Sequence, residues 1–68
     1  MNEDNLNMEI RRFLKKVGIT SQRIIENHIY EAEKNGSIKA GDEIELNMTL
    51  SIMNFKSSNR IDGKIKID

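Results

Sequence analysis

Hydrophobic residues recur with two different periods along this chain, and the change of period divides it. From Leu6 to Val17 the apolar positions are Leu6, Ile10, Phe13, Leu14 and Val17. This spacing places all five on one stripe of a 3.6-residue helix. Glu3 and Asp4 precede the stripe, where a helix dipole favours negative charge, and Lys15 and Lys16 close it. The pattern predicts a helix over about 5–17, with Asp4 or Asn5 as N-cap and Gly18 as the left-handed residue that ends it. A second helix is predicted over about 21–35. Thr20 is placed as its N-cap, and Ile19 and Ile24 lie at the spacing of a hydrophobic staple. Its buried stripe is Ile24, Ile25, His28, Ile29 and Ala32, and Asn35-Gly36 ends it, with Ile38 following as the apolar contact after the cap. A corner at Gly18 implies that Gly18→Val costs about 1 kcal/mol or more through left-handed strain.

After "SIKAGD" the period falls to two. In "EIELNMTLSI" the apolar residues are Ile44, Leu46, Met48, Leu50 and Ile52, and Glu43, Glu45, Asn47, Thr49 and Ser51 occupy the other face. That alternation predicts a strand over about 43–54. A second strand is predicted over about 60–67, with Ile61, Ile65 and Ile67 on one face and Lys64 and Lys66 on the other. The segment "FKSSN" reads as the turn between them. Glu43 and Glu45 face the same way as Lys64 and Lys66, which favours antiparallel pairing. The predicted fold is α+β: two helices packed on one face of an antiparallel β-hairpin, in two layers, as a single small domain over 1–68. A two-stranded sheet is marginal and leaves two edges open, so an edge-strand homodimer is one way to complete it.

The N-terminal half carries a further signal. Ile10, Arg11, Arg12, Phe13, Leu14, Lys15, Val17 and Gly18 are followed by Thr20, Ser21, Gln22 and Arg23, behind a Met-Asn-Glu start. This run resembles a family of short bacterial proteins whose function is unassigned, and the resemblance extends loosely over the whole chain. His28 departs from the small or aliphatic residue that the resemblance places there, and the C-terminal half is richer in Asn and Ser. The resemblance implies a helix–helix–hairpin fold and supplies no activity and no binding residues.

Composition narrows the chemistry. The 68 residues include no cysteine, so disulfides, thiolate catalysis and thiolate metal sites are absent. No apolar run approaches the roughly 18 residues of a membrane span. The acidic, polar "MNEDNLNMEI" is unlike a signal peptide. A cytoplasmic protein is expected, with no membrane partner. Eleven basic and eleven acidic residues cancel, whereas nucleic-acid binders commonly carry a basic excess.

Several motifs invite a functional reading. The two helices around "GIT" outline a nucleic-acid-binding helix-turn-helix, with a wing-like hairpin whose tip carries Lys56 and Arg60. Against it, the exposed face of the second helix holds Glu26, Glu31 and Glu33 beside Arg23 and Lys34, which phosphates repel. Arg11, Arg12, Lys15 and Lys16 span about 140° of the helix wheel, opposite the apolar stripe, and form a candidate patch for an anionic partner. His28 lacks the nucleophile or further ligands that catalysis or metal binding needs, and is expected in or beside the core. Glu43 and Glu45 read as the solvent face of a strand. "GSIKAGD" puts Asp42 where a phosphate loop needs lysine, and "NMT" is a sequon within a strand. Met53 and Phe55 on the polar side of the first strand, with Tyr30 and Met8 off the helical stripes, form a candidate apolar contact surface. The expected function is thus a small non-catalytic protein-interaction module acting on itself or another protein, without metal or cofactor and without enzymatic activity. A nucleic-acid-binding helix-turn-helix is the alternative.

Overall fold

The computed structural model describes residues 1–68. It divides into two units, Met1–Ser37 and Ile38–Asp68. The first unit is a single α-helix, α1, running from Glu3 to Lys34. The second is an antiparallel hairpin of β1, Glu43–Ile52, and β2, Ser57–Lys66, joined through a short 3-10 turn at Met53–Phe55. The α+β composition agrees with the sequence pattern; the pair of helices does not, because one helix spans both predicted segments.

Helix α1 starts earlier than the pattern suggested. Asn2 is its N-cap: its side-chain oxygen accepts from the Asn5 backbone N–H at 3.1 Å. The Asn2 carbonyl accepts from the Leu6 N–H at 3.1 Å, and Glu3 and Asp4 occupy the first turn. Neither Asp4 nor Asn5 caps, since both lie inside the helix.

The corner at Gly18 is absent, and the reason is a balance of backbone hydrogen bonds. A break there would leave about four carbonyls and four N–H groups without helical partners. Keeping glycine inside a helix costs only roughly 0.5–1 kcal/mol relative to alanine. The apolar phase also carries through unbroken, since Ile10, Val17, Ser21, Ile24, Ile25 and His28 continue one stripe. Thr20 is therefore an interior helical residue, not a cap. Ile19 and Ile24 point roughly 140° apart around the continuous helix and form no staple. Lys15 and Lys16 stand mid-helix, and Lys34 alone is basic in the last turn.

The C-terminal end follows expectation closely. Asn35 is the C-cap, Gly36 takes φ +78°, the Gly36 N–H reaches the Glu33 carbonyl at 3.2 Å and the Ser37 N–H reaches the Ala32 carbonyl at 2.8 Å. These two bonds define a Schellman motif. The Asn35 side-chain oxygen adds bonds from the Ser37 backbone N–H, at 3.0 Å, and from its hydroxyl. Ile38, half-buried, follows.

The connector then turns tightly. The Asp42 N–H donates to the Lys39 carbonyl at 3.1 Å, while the Asp42 carboxylate accepts from the Lys39 N–H at 3.0 Å. Gly41, third in this turn, has φ +96°. Its N–H bonds the Ile67 carbonyl at 2.6 Å, and the Ile67 N–H bonds the Asp42 carbonyl at 2.8 Å. Two residues thus face one, with a left-handed glycine first, which is a G1 bulge.

From that bulge the ladder runs in strict register: Glu43 faces Lys66, Ile44 faces Ile65, Glu45 faces Lys64, and so on to Ile52 facing Ser57. The expected opposition of Glu43 and Glu45 to Lys66 and Lys64 is present. The chain reverses at Met53–Lys56, earlier than "FKSSN", and Ser57–Asn59 belong to β2. Their intrinsic strand preference is weak, but pairing them satisfies backbone groups opposite Leu50–Ile52 that would otherwise face water alone.

No residue in either unit is buried; the most enclosed apolar ones, including Val17, Ile25, Ile29, Ile44, Leu46 and Ile65, are half-covered. A lone helix and a two-stranded ribbon are each one layer thick, so the core that two helices over a hairpin were expected to form is not built within either.

The two glycines give opposite expectations. A Cβ at Gly18 meets nothing within 4 Å, so Gly18→Ala should raise stability by about 0.5–1 kcal/mol, reversing the penalty a corner implies. Gly41→Ala should lower it by about 1–2 kcal/mol through left-handed strain. Thermal unfolding followed by circular dichroism checks both signs.

Candidate functional site

Along α1 the apolar residues make one unbroken stripe from Leu6 to Ala32. Ile10, Phe13 and Leu14 stay about half-exposed, as does Ile24 further on. Phe13 is 54% exposed, a large fraction for an aromatic group in the middle of an apolar face. His28 lies on this stripe and is exposed, where a place in or at the edge of a core was expected, because nothing in its unit covers the stripe.

The candidate basic patch is brought together within two turns of the helix, on the side away from the stripe. Arg12 donates to the Glu9 carboxylate at 2.8 Å, one turn earlier. Arg11, Lys15 and Lys16 form no ion pair. From Arg11 through Arg23 the helix carries five cations and no carboxylate, with acidic residues before and after it. The neutral total therefore conceals a basic middle.

Continuity of the helix also produces an alignment that a break at Gly18 hides. Met8, Ile19 and Tyr30 are eleven residues apart, close to three full turns, so they line up on the polar side. All three are exposed, Tyr30 at 56%. Arg12, Lys15 and Arg23 flank the line, and a shallow groove of about 200 Å³ lies along Ile19, Gln22, Arg23 and Glu26. Ile19 is the residue that sequence reading missed, because it was assigned to a staple. The signal that finds it is the repeat of eleven.

On the hairpin, Met53 and Phe55 do not continue the polar face of β1. They stand in the 3-10 turn at the tip, 84% and 77% exposed. Lys56 follows with φ 51° and ψ 36°, its N–H reaching the Met53 carbonyl at 3.3 Å. A left-handed lysine holds the tip closed at a conformational cost that glycine avoids.

The polar face of the hairpin is a mixed-charge surface. Arg60 pairs with Asp62 at 3.0 Å and Lys64 approaches Glu43 at 3.9 Å, all well exposed. Each such pair contributes at most a few tenths of a kcal/mol to about 1 kcal/mol. An open hollow of about 620 Å³ lies around Gly63, between Glu45, Asn47, Arg60, Asp62 and Lys64. Arg60 and Asp62 are paired with each other along β2 and Lys64 leans to Glu43 across the strands, so these charges do not converge on one point. No three acidic or histidine side chains are grouped to hold a metal ion. No helix is long and apolar enough to cross a membrane.

The helix-turn-helix is overturned by the continuous backbone: without a turn at Gly18–Thr20 there is no second helix set at an angle to enter a groove. A family model described as "Family of unknown function (DUF6494)" matches residues 1–68. Neither a curated protein nor a solved structure matches the chain.

The tip supplies a direct test. Lys56→Gly relieves the left-handed strain and should raise hairpin stability by roughly 0.5 kcal/mol, the strain relief of about 1–2 kcal/mol being offset by the greater freedom of glycine in the unfolded chain. Chemical denaturation followed by backbone amide NMR of β1 and β2 reads it.

Proposed function

The chain belongs to the DUF6494 family, a family of unknown function, and from that premise we propose that it is a small non-catalytic protein-interaction module working in the cytoplasm. The observation that carries this reading is the exposed apolar stripe of α1. Ile10, Phe13, Leu14 and Val17 follow the i, i+3, i+4, i+7 spacing with which an amphipathic helix enters a groove on a partner. Continuous exposed apolar surface of this kind marks contact sites rather than ordinary solvent-facing helix. The exposed Met53 and Phe55 at the hairpin tip offer a second contact of the same character. The non-catalytic part of the reading rests on composition, since one histidine and no cysteine leave few groups for acid–base or nucleophilic chemistry.

The basic middle of α1 supports a second reading. Arg11, Lys15 and Lys16 are free of carboxylate partners, so an anionic partner, including a nucleic-acid backbone, has charges to meet. Such binding would be electrostatic and independent of base sequence, because the geometry for base readout went with the helix-turn-helix.

The two readings separate in one experiment. Tagged protein is used to capture partners from native lysate treated with nuclease, as wild type, as Ile10→Asp with Phe13→Asp, and as Arg11→Glu with Lys15→Glu. Loss of a nuclease-resistant protein partner in the apolar variant alone, by at least about tenfold, is the expected result. Recovery only of nuclease-sensitive material, lost in the charge variant, would replace the proposal with the second reading.

A further inference from the structure

We infer that the partner of β1 is a second copy of this chain, joined through the open edge of that strand into a four-stranded sheet ordered β2-β1-β1-β2. The inference deepens the interaction-module reading by naming one partner.

The two edges of the hairpin differ. Each strand has one neighbour, so each presents a row of unpaired backbone groups to solvent. The bond from the Ile67 N–H to the Asp42 carbonyl sets the phase of the ladder. Even-numbered residues of β1 bond across to β2, and Glu43, Glu45, Asn47, Thr49 and Ser51 direct their backbone groups outward. On β2 the outward-directed residues include Arg60, Asp62, Lys64 and Lys66, all four of them charged. Charged side chains, lysine above all, are the means by which natural sheets keep edges from pairing. Strand β1 has no lysine, arginine, glycine or proline over its ten residues. Its charges are confined to Glu43 and Glu45 at one end, and Asn47, Thr49 and Ser51 leave the rest of the edge long, regular and uncharged.

Charge then rules out one alignment and favours another. In a two-fold symmetric antiparallel pair, residue i faces residue n − i, and side chains match faces only when the sum n is even. An axis at Glu45 would set two Glu45 carboxylates against each other. An axis at Asn47 removes every like-charge contact: Glu43 faces Ser51, Glu45 faces Thr49 and Asn47 faces its own copy. On the opposite face Ile44 meets Leu50 and Leu46 meets Met48, so the apolar rows of both copies become one surface. This alignment also keeps nearly the full length of β1 paired. The symmetric arrangement closes on itself, whereas β1 against β2 of the next copy would propagate into a fibre.

The alignment makes opposite demands on two neutral residues of the same face. Asn47→Lys places like charges at the axis, yet within its own hairpin it faces Asp62 and leaves the fold intact. Ser51→Lys faces Ser58 within the hairpin and Glu43 of the other copy. Sedimentation velocity of the full chain over about 1–300 µM should show a reversible monomer–dimer equilibrium. The dissociation constant should rise about five- to tenfold in Asn47→Lys and fall roughly two- to tenfold in Ser51→Lys, with circular dichroism unchanged. A monomer at every concentration, open-ended oligomers, or a dimer indifferent to either substitution overturns the inference. A monomer that still captures a protein partner through Ile10 and Phe13 would remove the dimer while leaving the interaction module standing.

Discussion

A single layer of secondary structure cannot bury its own apolar face. That constraint governs both units of this chain. The stripe of α1 and the even-numbered face of β1 each have the composition of an interior, and neither unit contains a second layer to cover it. What holds each unit in shape is backbone hydrogen bonding and local conformational preference: an N-cap at Asn2, a Schellman motif at Asn35–Ser37, a bulge at Gly41–Asp42 and a left-handed closure at Lys56. Ion pairs at the surface add little. Much of the apolar surface is thereby left as contact area, and the functional reading follows from that.

Four positions along the backbone show how similar residues are used differently. Gly36 and Gly41 adopt positive φ, and hydrogen bonds to neighbouring carbonyls depend on it. Gly18 is helical and carries no such demand. Lys56 performs a glycine's task without being one. Glycine in a sequence therefore marks permission for an unusual backbone rather than its presence, and the hydrogen bonds on either side decide whether the permission is used.

This distinction explains what could be read in advance. The hairpin and its antiparallel sense were legible because strand periodicity and the shared face of Glu43, Glu45, Lys64 and Lys66 are local, redundant signals; its register was not, because "FKSSN" carries no Asn-Gly turn signature to set it. Helical character was legible for the same reason. Continuity through Gly18 was not, because "GIT" fits both a capped corner and an uninterrupted stripe, and the choice rests on eight backbone groups that leave no mark on composition. The tip was placed too late because "MNF" still alternates apolar and polar residues after the strand has ended, out of phase with the even-numbered row of β1. The basic patch was visible as a cluster, but the line of Met8, Ile19 and Tyr30 exists only on an unbroken helix.

The bulge has a consequence for how the chain acquires its shape. Every bond in α1 closes within a few residues, and the hairpin can zip from a four-residue tip toward the Gly41–Ile67 junction one pair at a time. Loop-closure entropy is met in small steps, so contact order within each unit is low and secondary structure forms on the order of microseconds. Any slower phase that quickens with protein concentration then reports encounter between molecules, which makes folding kinetics a clock for assembly.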